Sequence, residues 1–325
     1  MDYYLLVNEG MEETAQQEVK EQFGVRSTLS KQVLEFSSDP IADPSVIRSA
    51  RRLLVAVGKF STDAIALPSQ FPWQEHFKSD IRFKVEVENV KGQENRVALA
   101  KKVAGQLFTI FETKKISAML ELKKPQLLVV VYYNGSDYFV GLDTNINELT
   151  ARAYRVFPHS GSFKGDLAYF FVRRSMFKKN DKLLIGFCKD GAIPIEAALF
   201  SRQEVQAFDP SLQNIIAARK NAQLAGVRDL VKIQKIPLDE VDVKFQKNEF
   251  DVLIFHITQK DEDKLNEIYH QAKYVLKAKG KALFIGRERW SPSISDKFIL
   301  LSQGTVRRGN SAYVFWLLEK KPEKK

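Results

Sequence analysis

The sequence predicts an α/β protein whose C-terminal half is built on a mostly parallel seven-stranded sheet with an antiparallel edge. Three observations predict it. Five apolar, β-rich runs recur along that half: Leu183–Phe187, Val205–Phe208, Leu230–Ile236, Asp251–Phe255 and Lys281–Ile285. Helical patterns at Ile193–Arg202, Pro210–Ala225 and Lys264–Leu276 separate the first strand from the second, the second from the third and the fourth from the fifth. Strict alternation of this kind implies parallel strands joined by right-handed crossovers. After Gly304, two further strand-like runs, Thr305–Arg308 and Ala312–Leu318, follow each other too closely for a crossover, so they are expected to pair antiparallel at the sheet edge.

The N-terminal half reads as smaller α+β units. Tyr3–Val7 is a strand, and Gly10–Phe23 is a helix stopped by Gly24. Leu29–Phe36 alternates weakly and is expected as a second strand, and Val46–Ala56 as a helix with exposed arginines, closing a unit near Phe60. Pro68, Pro72 and the segment FPWQEHF mark a junction. Beyond it, Ile81, Phe83, Val85 and Val87 alternate with Arg82, Lys84 and Glu86, the pattern of a half-buried strand. Asn95–Phe111 is an amphipathic helix, and Leu127–Tyr133 and Tyr138–Leu142 form a hairpin about the Asn134-Gly135 turn. This order suggests an open sheet with one exposed face or edge. Lys320–Lys325 reads as a charged, disordered tail.

Composition narrows the function classes. The chain has 325 residues, 44% hydrophobic and 28% charged, which is ordinary for a globular protein of about two domains. Its single cysteine, Cys188, excludes an internal disulfide and a cysteine-rich metal site. His76, His159, His256 and His270 are scattered without metal-ligand spacing. The longest aliphatic run, Leu127–Val131, is too short to span a bilayer, and the start MDYYLLVNEG lacks the features of a signal peptide, so the expectation is a cytoplasmic protein without a membrane partner. A formal charge of +10 favours an anionic partner. Between Ala151 and Lys182 the basic residues are Arg152, Arg155, Lys164, Arg173, Arg174, Lys178, Lys179 and Lys182, against only Asp166 and Asp181. Tyr154, Phe157, Phe163, Tyr169, Phe170, Phe171 and Phe177 are interleaved with them. Arginine for phosphate and aromatics for stacking are the usual means of holding RNA, although some of these rings must be core. The first seven of the basic residues are the candidate RNA contacts.

The stretch LLIGFCKDGAIPIEAALF, Leu183–Phe200, is the most informative one. It is a strand, a turn and a helix start, the Rossmann-like arrangement in which backbone N–H groups and a helix N-terminus receive a nucleotide-type ligand. Phe187, Cys188 and Gly191 in the turn, and Asp209 at the end of the second strand, are the candidate cofactor contacts. Asp209 suits two roles, acceptor for ribose hydroxyls and N-cap of the helix that Pro210 opens. Cys188 stands at a strand end, but small buried cysteines are usually packing.

Taken in order, several segments resemble the THUMP-domain RNA methyltransferases, over nearly the whole chain. NEGMEETAQQEV (Asn8–Val19) is similar to the family's N-terminal ferredoxin-like element, and Phe83–Leu142, with LELKKPQLLVVV and YFVGLD, to the THUMP domain. Ala153–His159 resembles the lead into the catalytic domain, and IPIEAAL and AARKNAQLAGV its first two motifs. The resemblance implies a ferredoxin-like domain over 1–60, a THUMP domain over 61–146, a basic linker over 147–180 and a Rossmann-like methyltransferase domain over 181–325. It also implies binding of tRNA or other structured RNA, and a fold made for S-adenosylmethionine.

The lining departs from the family. Active members end the first strand in an acid and turn through FCGSG; here Ile185-Gly186 precede Phe187-Cys188, and Lys189-Asp190 replace the small pair. Side chains at these positions bar close backbone approach, and the favoured reading of Lys189-Asp190 is a plain solvated turn. In the third motif Gln234-Lys235-Ile236-Pro237 carries no acid; the nearest is Asp239. After the fourth strand, amino-group methyltransferases place Asn/Asp-Pro-Pro-aromatic, whose polar groups accept the amine N–H bonds and whose ring stacks on the extruded base. This chain has His256-Ile257-Thr258-Gln259, in which His256 can accept one hydrogen bond and otherwise reads as a structural or rim residue. No residue is assigned a catalytic role. The expectation is an RNA-binding protein with methyl transfer lost or impaired and S-adenosylmethionine binding in doubt, acting alongside an active methyltransferase subunit. An active methyltransferase modifying a guanine exocyclic amine and a protein-interaction scaffold are the alternatives.

Overall fold

The structure, a computed structural model, describes residues 1–78, 80–258, 263–288 and 293–322. It divides into two units, Met1–Asn8 with Ala15–Leu149, and Glu9–Thr14 with Thr150–Lys325.

The first unit carries one eight-stranded sheet. Its strands are β1 (Asp2–Leu6), β2 (Thr28–Ser30), β3 (Val33–Ser37), β4 (Arg52–Phe60), β5 (Ile81–Glu88), β6 (Ala118–Leu120), β7 (Leu127–Tyr133) and β8 (Tyr138–Asp143), in the order β2-β3-β1-β4-β8-β7-β5-β6. Helices α1 (Glu12–Phe23), α2 (Trp73–His76) and α3 (Gln93–Lys114) accompany them. The helix expected over Val46–Ala56 does not form: Val46 ends a short 3-10 turn, and from Arg52 the chain runs into the central strand β4. Leu53, Leu54 and Val57 are buried, so the run shows no alternation of the half-exposed kind. Arg52 is not exposed either: it is buried and reaches Asp143 at 2.8 Å and Glu88 at 2.7 Å. The single strand expected over Leu29–Phe36 is two, β2 and β3, folded about Lys31 at φ 53°. The segment read as a junction supplies Trp73, fully buried in the core of this unit.

The second unit matches the sequence pattern closely. Its strands are β9 (Leu183–Gly186), β10 (Val205–Asp209), β11 (Val231–Lys235), β12 (Phe250–His256), β13 (Leu276–Arg287), β14 (Phe298–Arg308) and β15 (Ser311–Lys320), in the order β11-β10-β9-β12-β13-β15-β14. The first five are parallel, and β15 pairs antiparallel with both β13 and β14. Helices α4 (Gly165–Arg174), α5 (Ala192–Ser201), α6 (Leu212–Leu224), α7 (Val241–Lys244) and α8 (Leu265–Val275) complete it. Side-chain alternation along the strands feeds two cores, Leu183, Ile185, Ala207 and Ile254 into one, Leu184, Phe208, Leu253 and Phe255 into the other. A sheet covered on both faces accounts for the continuous apolar runs. Two expectations are corrected here. Residues 165–174, read as part of a basic linker, form α4, whose Leu167–Val172 run is buried all round. Lys320 does not begin a disordered tail; it ends β15, is buried, and donates from Nζ to the Leu276 carbonyl at 2.6 Å and Asn248 Oδ1 at 2.7 Å.

Candidate functional site

Strand order reverses between β9 and β12, since the chain leaves β9 toward β10 on one side and reaches β12 on the other. Ligands of open parallel sheets bind at the carboxyl ends of the strands flanking such a reversal. Here that position is the turn Phe187–Gly191 after β9, the end of β10 at Asp209 and the end of β12 at His256.

The turn is tightly coiled. Phe187, Lys189 and Gly191 have φ of 57°, 50° and 82°, three left-handed residues in five. Gly191 is required twice over, because a Cβ there would stand 2.9 Å from the Ala218 Cβ. Gly186 leaves room for the rings of Phe208 and Phe255, which close beneath the turn with Phe187 at centroid separations of 5.8 to 5.9 Å.

Neither Lys189 nor Asp190 is solvated, which corrects the reading of a plain surface turn. Asp190 is 0% exposed. Its carboxylate accepts from Arg155 Nε and Nη2 at 3.1 and 3.0 Å, from the His159 N–H at 3.1 Å, from the Ala192 N–H at 3.3 Å and from the Ser162 hydroxyl. Its carbonyl accepts from Asn221 Nδ2 at 2.9 Å. The residue therefore ties residues 155–162 to the start of α5. Lys189, 7% exposed, crosses the crevice: Nζ donates to the Gly161 carbonyl at 2.9 Å and lies 3.0 Å from His256 Nδ1. His256 is buried, and its ring stacks on Phe163 at 4.2 Å. Burial, then the charge of Lys189, pushes its pKa well below the ordinary value, so the ring is neutral near pH 7 and can accept the lysine's hydrogen bond.

Asp209 has both carboxylate oxygens engaged. Oδ2 accepts the Lys189 N–H at 2.9 Å, and Oδ1 the Ser211 N–H and Asn214 Nδ2, each at 2.9 Å. The N-cap of α6 is Ser211, not Asp209, and the helix begins at Leu212 rather than Pro210. Cys188 is buried, and burial followed by the nearby Asp209 holds its thiol well above the ordinary range, which suits packing rather than nucleophilic chemistry. Ile257 packs into the sheet core and donates its N–H to the Ile285 carbonyl at 2.9 Å; Thr258 is half-buried; Gln259 lies outside the described residues. Beside the turn, a cavity of about 260 Å³ is lined by Phe187, Pro210, Pro237, Leu238, Asp239, Lys264 and Glu267. Among the described residues no group of His, Cys, Asp and Glu is placed to hold a metal ion, and no helix is long and apolar enough to cross a membrane.

The candidate RNA contacts are not one patch. Arg152 pairs with the buried Glu196 at 2.9 Å and Arg155 with Asp190, both inside the unit. Arg173 lies over the rings of Tyr169 and Phe200, and Arg174 pairs with Glu13 at 2.9 Å while covering Phe315. Lys164, Lys178 and Lys179 are exposed. They flank α4, Lys164 at its start and the other two beyond its end, so the 10-residue helix holds them about 15 Å or more apart. Sequence reasoning missed three members of this neighbourhood and placed a fourth, Phe163, only among the aromatics interleaved with the basic residues. The three are Glu196, which also accepts from the Tyr154 hydroxyl at 2.7 Å, Asn221 and the Gly161 carbonyl. Only Glu196 left a signal: a lone carboxylate in the apolar helix IPIEAALF must find a partner.

Residues 152–289 match a family described as UPF0020, RMKL-like, methyltransferase domain. A tRNA (guanine(6)-N2)-methyltransferase of Methanocaldococcus jannaschii is 28% identical over 221 residues, which is 62% of this chain and 57% of that protein. One of the same description from Archaeoglobus fulgidus is 26% identical over 182 residues, 47% of this chain and 45% of that protein. The matches thus span about half the length of these relatives. The crystal structure of TrmN from Thermus thermophilus shares the fold with a TM-score of 0.79 at 18% identity, covering 98% of this chain and 99% of that one. SMU.472 complexed with SAH shares it at 0.75 and 16%, covering 99% of both. These matches bear out the resemblance to the RNA methyltransferase family.

Proposed function

We propose that this chain, a member of the RNA methyltransferase family, binds structured RNA, tRNA first among the candidates, and does not itself transfer a methyl group. One observation carries the reading: the corner between the β9 turn and the end of β12 is filled by the chain's own Lys189 side chain, seated on His256 and Gly161. A methyl transferase needs that corner twice, once for the donor and once for the acceptor nitrogen. As they stand, these residues do not fit S-adenosylmethionine. Lys189 occupies space, and its cation opposes a sulfonium in a buried place. Nor do His256 and Ile257 offer the rigid pair of acceptors that would aim an exocyclic amine, because His256 is turned to Lys189 and Ile257 to the core.

The RNA half of the reading rests on the tRNA-modifying relatives, the charge of +10 and the exposed basic side chains. In addition to Lys164, Lys178 and Lys179 of the second unit, Lys101, Lys102, Lys115, Lys123 and Lys124 are exposed on the first. The test has two arms. Labelled methyl transfer from S-adenosylmethionine to bulk tRNA by the purified chain should stay at background; incorporation that His256→Ala abolishes defeats the loss of chemistry. Binding of tRNA should weaken with salt, and Lys178→Glu with Lys179→Glu should flatten the log–log salt slope by about two. Wild-type protein that fails to bind tRNA even at low salt defeats the RNA reading and leaves a protein-interaction role. Arg173 and Arg174 are poorer probes, because reversing them also breaks ring and ion-pair contacts within the unit.

A further inference from the structure

We propose that the Lys189 side chain is a built-in occupant of the amino-acid half of a nucleoside-type site, and that its removal alone reopens that half to adenosyl amino acids. The inference rests on reading the β9–β12 corner as the cofactor-type site and deepens it by naming the element that closes it. Four observations carry it. Lys189 leaves a backbone position at φ 50°, where glycine would be relaxed, so the turn itself does not call for a lysine. The side chain does not run to solvent, as an exposed lysine would, but is 93% shielded and spans the corner. Its ammonium has two neutral acceptors built around it, the Gly161 carbonyl and the His256 ring, which Phe163 holds by stacking. The neighbouring cavity of about 260 Å³ stays open, and Lys189 does not line it. The closure is therefore local. One half of the site is filled by a tethered cation and the other is left as a space lined by Phe187, Pro210, Pro237 and Leu238 together with the charged Asp239, Lys264 and Glu267.

The discriminating variant is Lys189→Gly. Glycine suits the left-handed backbone, keeps the Lys189 N–H that Asp209 accepts, and removes only the tether. Calorimetric titration with S-adenosylhomocysteine, S-adenosylmethionine and adenosine, on wild type and variant, reads the outcome. Expected are S-adenosylhomocysteine and S-adenosylmethionine affinities at least about tenfold higher in the variant, with adenosine changed by less than about twofold. Equal binding of the adenosyl amino acids by both proteins, or by neither, overturns the proposal. So does an adenosine gain matching theirs, which would mark general loosening of the domain rather than reopening of one half. Should the variant not fold, reductive methylation of the wild type gives an independent reading. Lys189 should stay unmodified under conditions that modify Lys178 and Lys179, and equal reactivity overturns the seated lysine. None of these measurements uses RNA or turnover, so failure of the RNA-binding reading would leave their result standing.

Discussion

Replacing Asp190 by alanine separates a buried hub from a surface turn. The carboxylate is fully enclosed and accepts from Arg155, His159, Ser162 and Ala192. Removing one member of a buried ion pair costs about 3–5 kcal/mol, mostly through the charge left behind. Arg155, with 14% of its side chain exposed, can recover part of its hydration, which places the expected loss near the lower end, about 3 kcal/mol. That is a large share of a domain stability of roughly 5–15 kcal/mol. A solvated Lys-Asp turn would lose less than about 0.5 kcal/mol. Hydrogen exchange of the β9 and β12 amides reports opening at these strands directly. The expected loss accelerates their exchange by roughly 100-fold, at about 1.4 kcal/mol per decade. A change below about threefold would refute the hub. Arg155→Ala should then cost much less in the Asp190→Ala background than in the wild type, because the charge it removes is already unpaired.

Gly191→Ala should lower the melting temperature far more than Gly226→Ala. Both have positive φ, but only at 191 does a new Cβ meet a neighbour, Ala218 at 2.9 Å, so we expect about 2–3 kcal/mol against about 1; equal losses would show that backbone conformation alone matters. His256→Gln should remove a pH dependence. The folded-state pKa of His256 is lowered, so below its ordinary value of 6.5 the unfolded chain takes a proton that the folded one refuses, and stability falls as pH falls. The wild type should lose up to about 1.4 kcal/mol per pH unit below that point relative to the variant in urea titrations, and a pH-independent difference would mean the ring is not held neutral.

The strands were legible wherever burial on both faces wrote a continuous apolar run, as in β7, β9 and β12. The same rule hid β4, because Arg52 and its neighbour Arg51 argued for an exposed helix while the structure pairs Arg52 with the buried Asp143 and the half-buried Glu88. It hid α4 too: Leu167–Val172 is buried along its whole length, while the flanking charges argued for an exposed basic stretch. At the site, the identities that differ from the family's motifs were plain in the sequence, but their physical meaning was not. Lys-Asp-Gly is locally a turn. What buries it lies 28 residues away at Gly161, 35 at Arg155 and 67 at His256, and no local pattern encodes those distances.

The exchanged residues support one another, and that bears on how the site came to differ. A lining that merely decayed would leave buried polar atoms stranded, at about 1–3 kcal/mol each. Among the described residues, no buried side-chain atom of Lys189, Asp190, Asp209 or His256 is without a partner. Lys189 needs the Gly161 carbonyl and a neutral His256; His256 needs the Phe163 ring; Gly161 and Phe163 sit on the segment that Asp190 pins through His159 and Ser162. The replacements thus form one connected set of contacts. Reopening the corner at Lys189 can restore binding, since binding needs space, yet it cannot restore turnover, since no acceptor pair aims an amine. Binding without turnover in Lys189→Gly is therefore the joint signature of a site rebuilt around a new occupant, and turnover in that variant would show instead that the corner was only blocked.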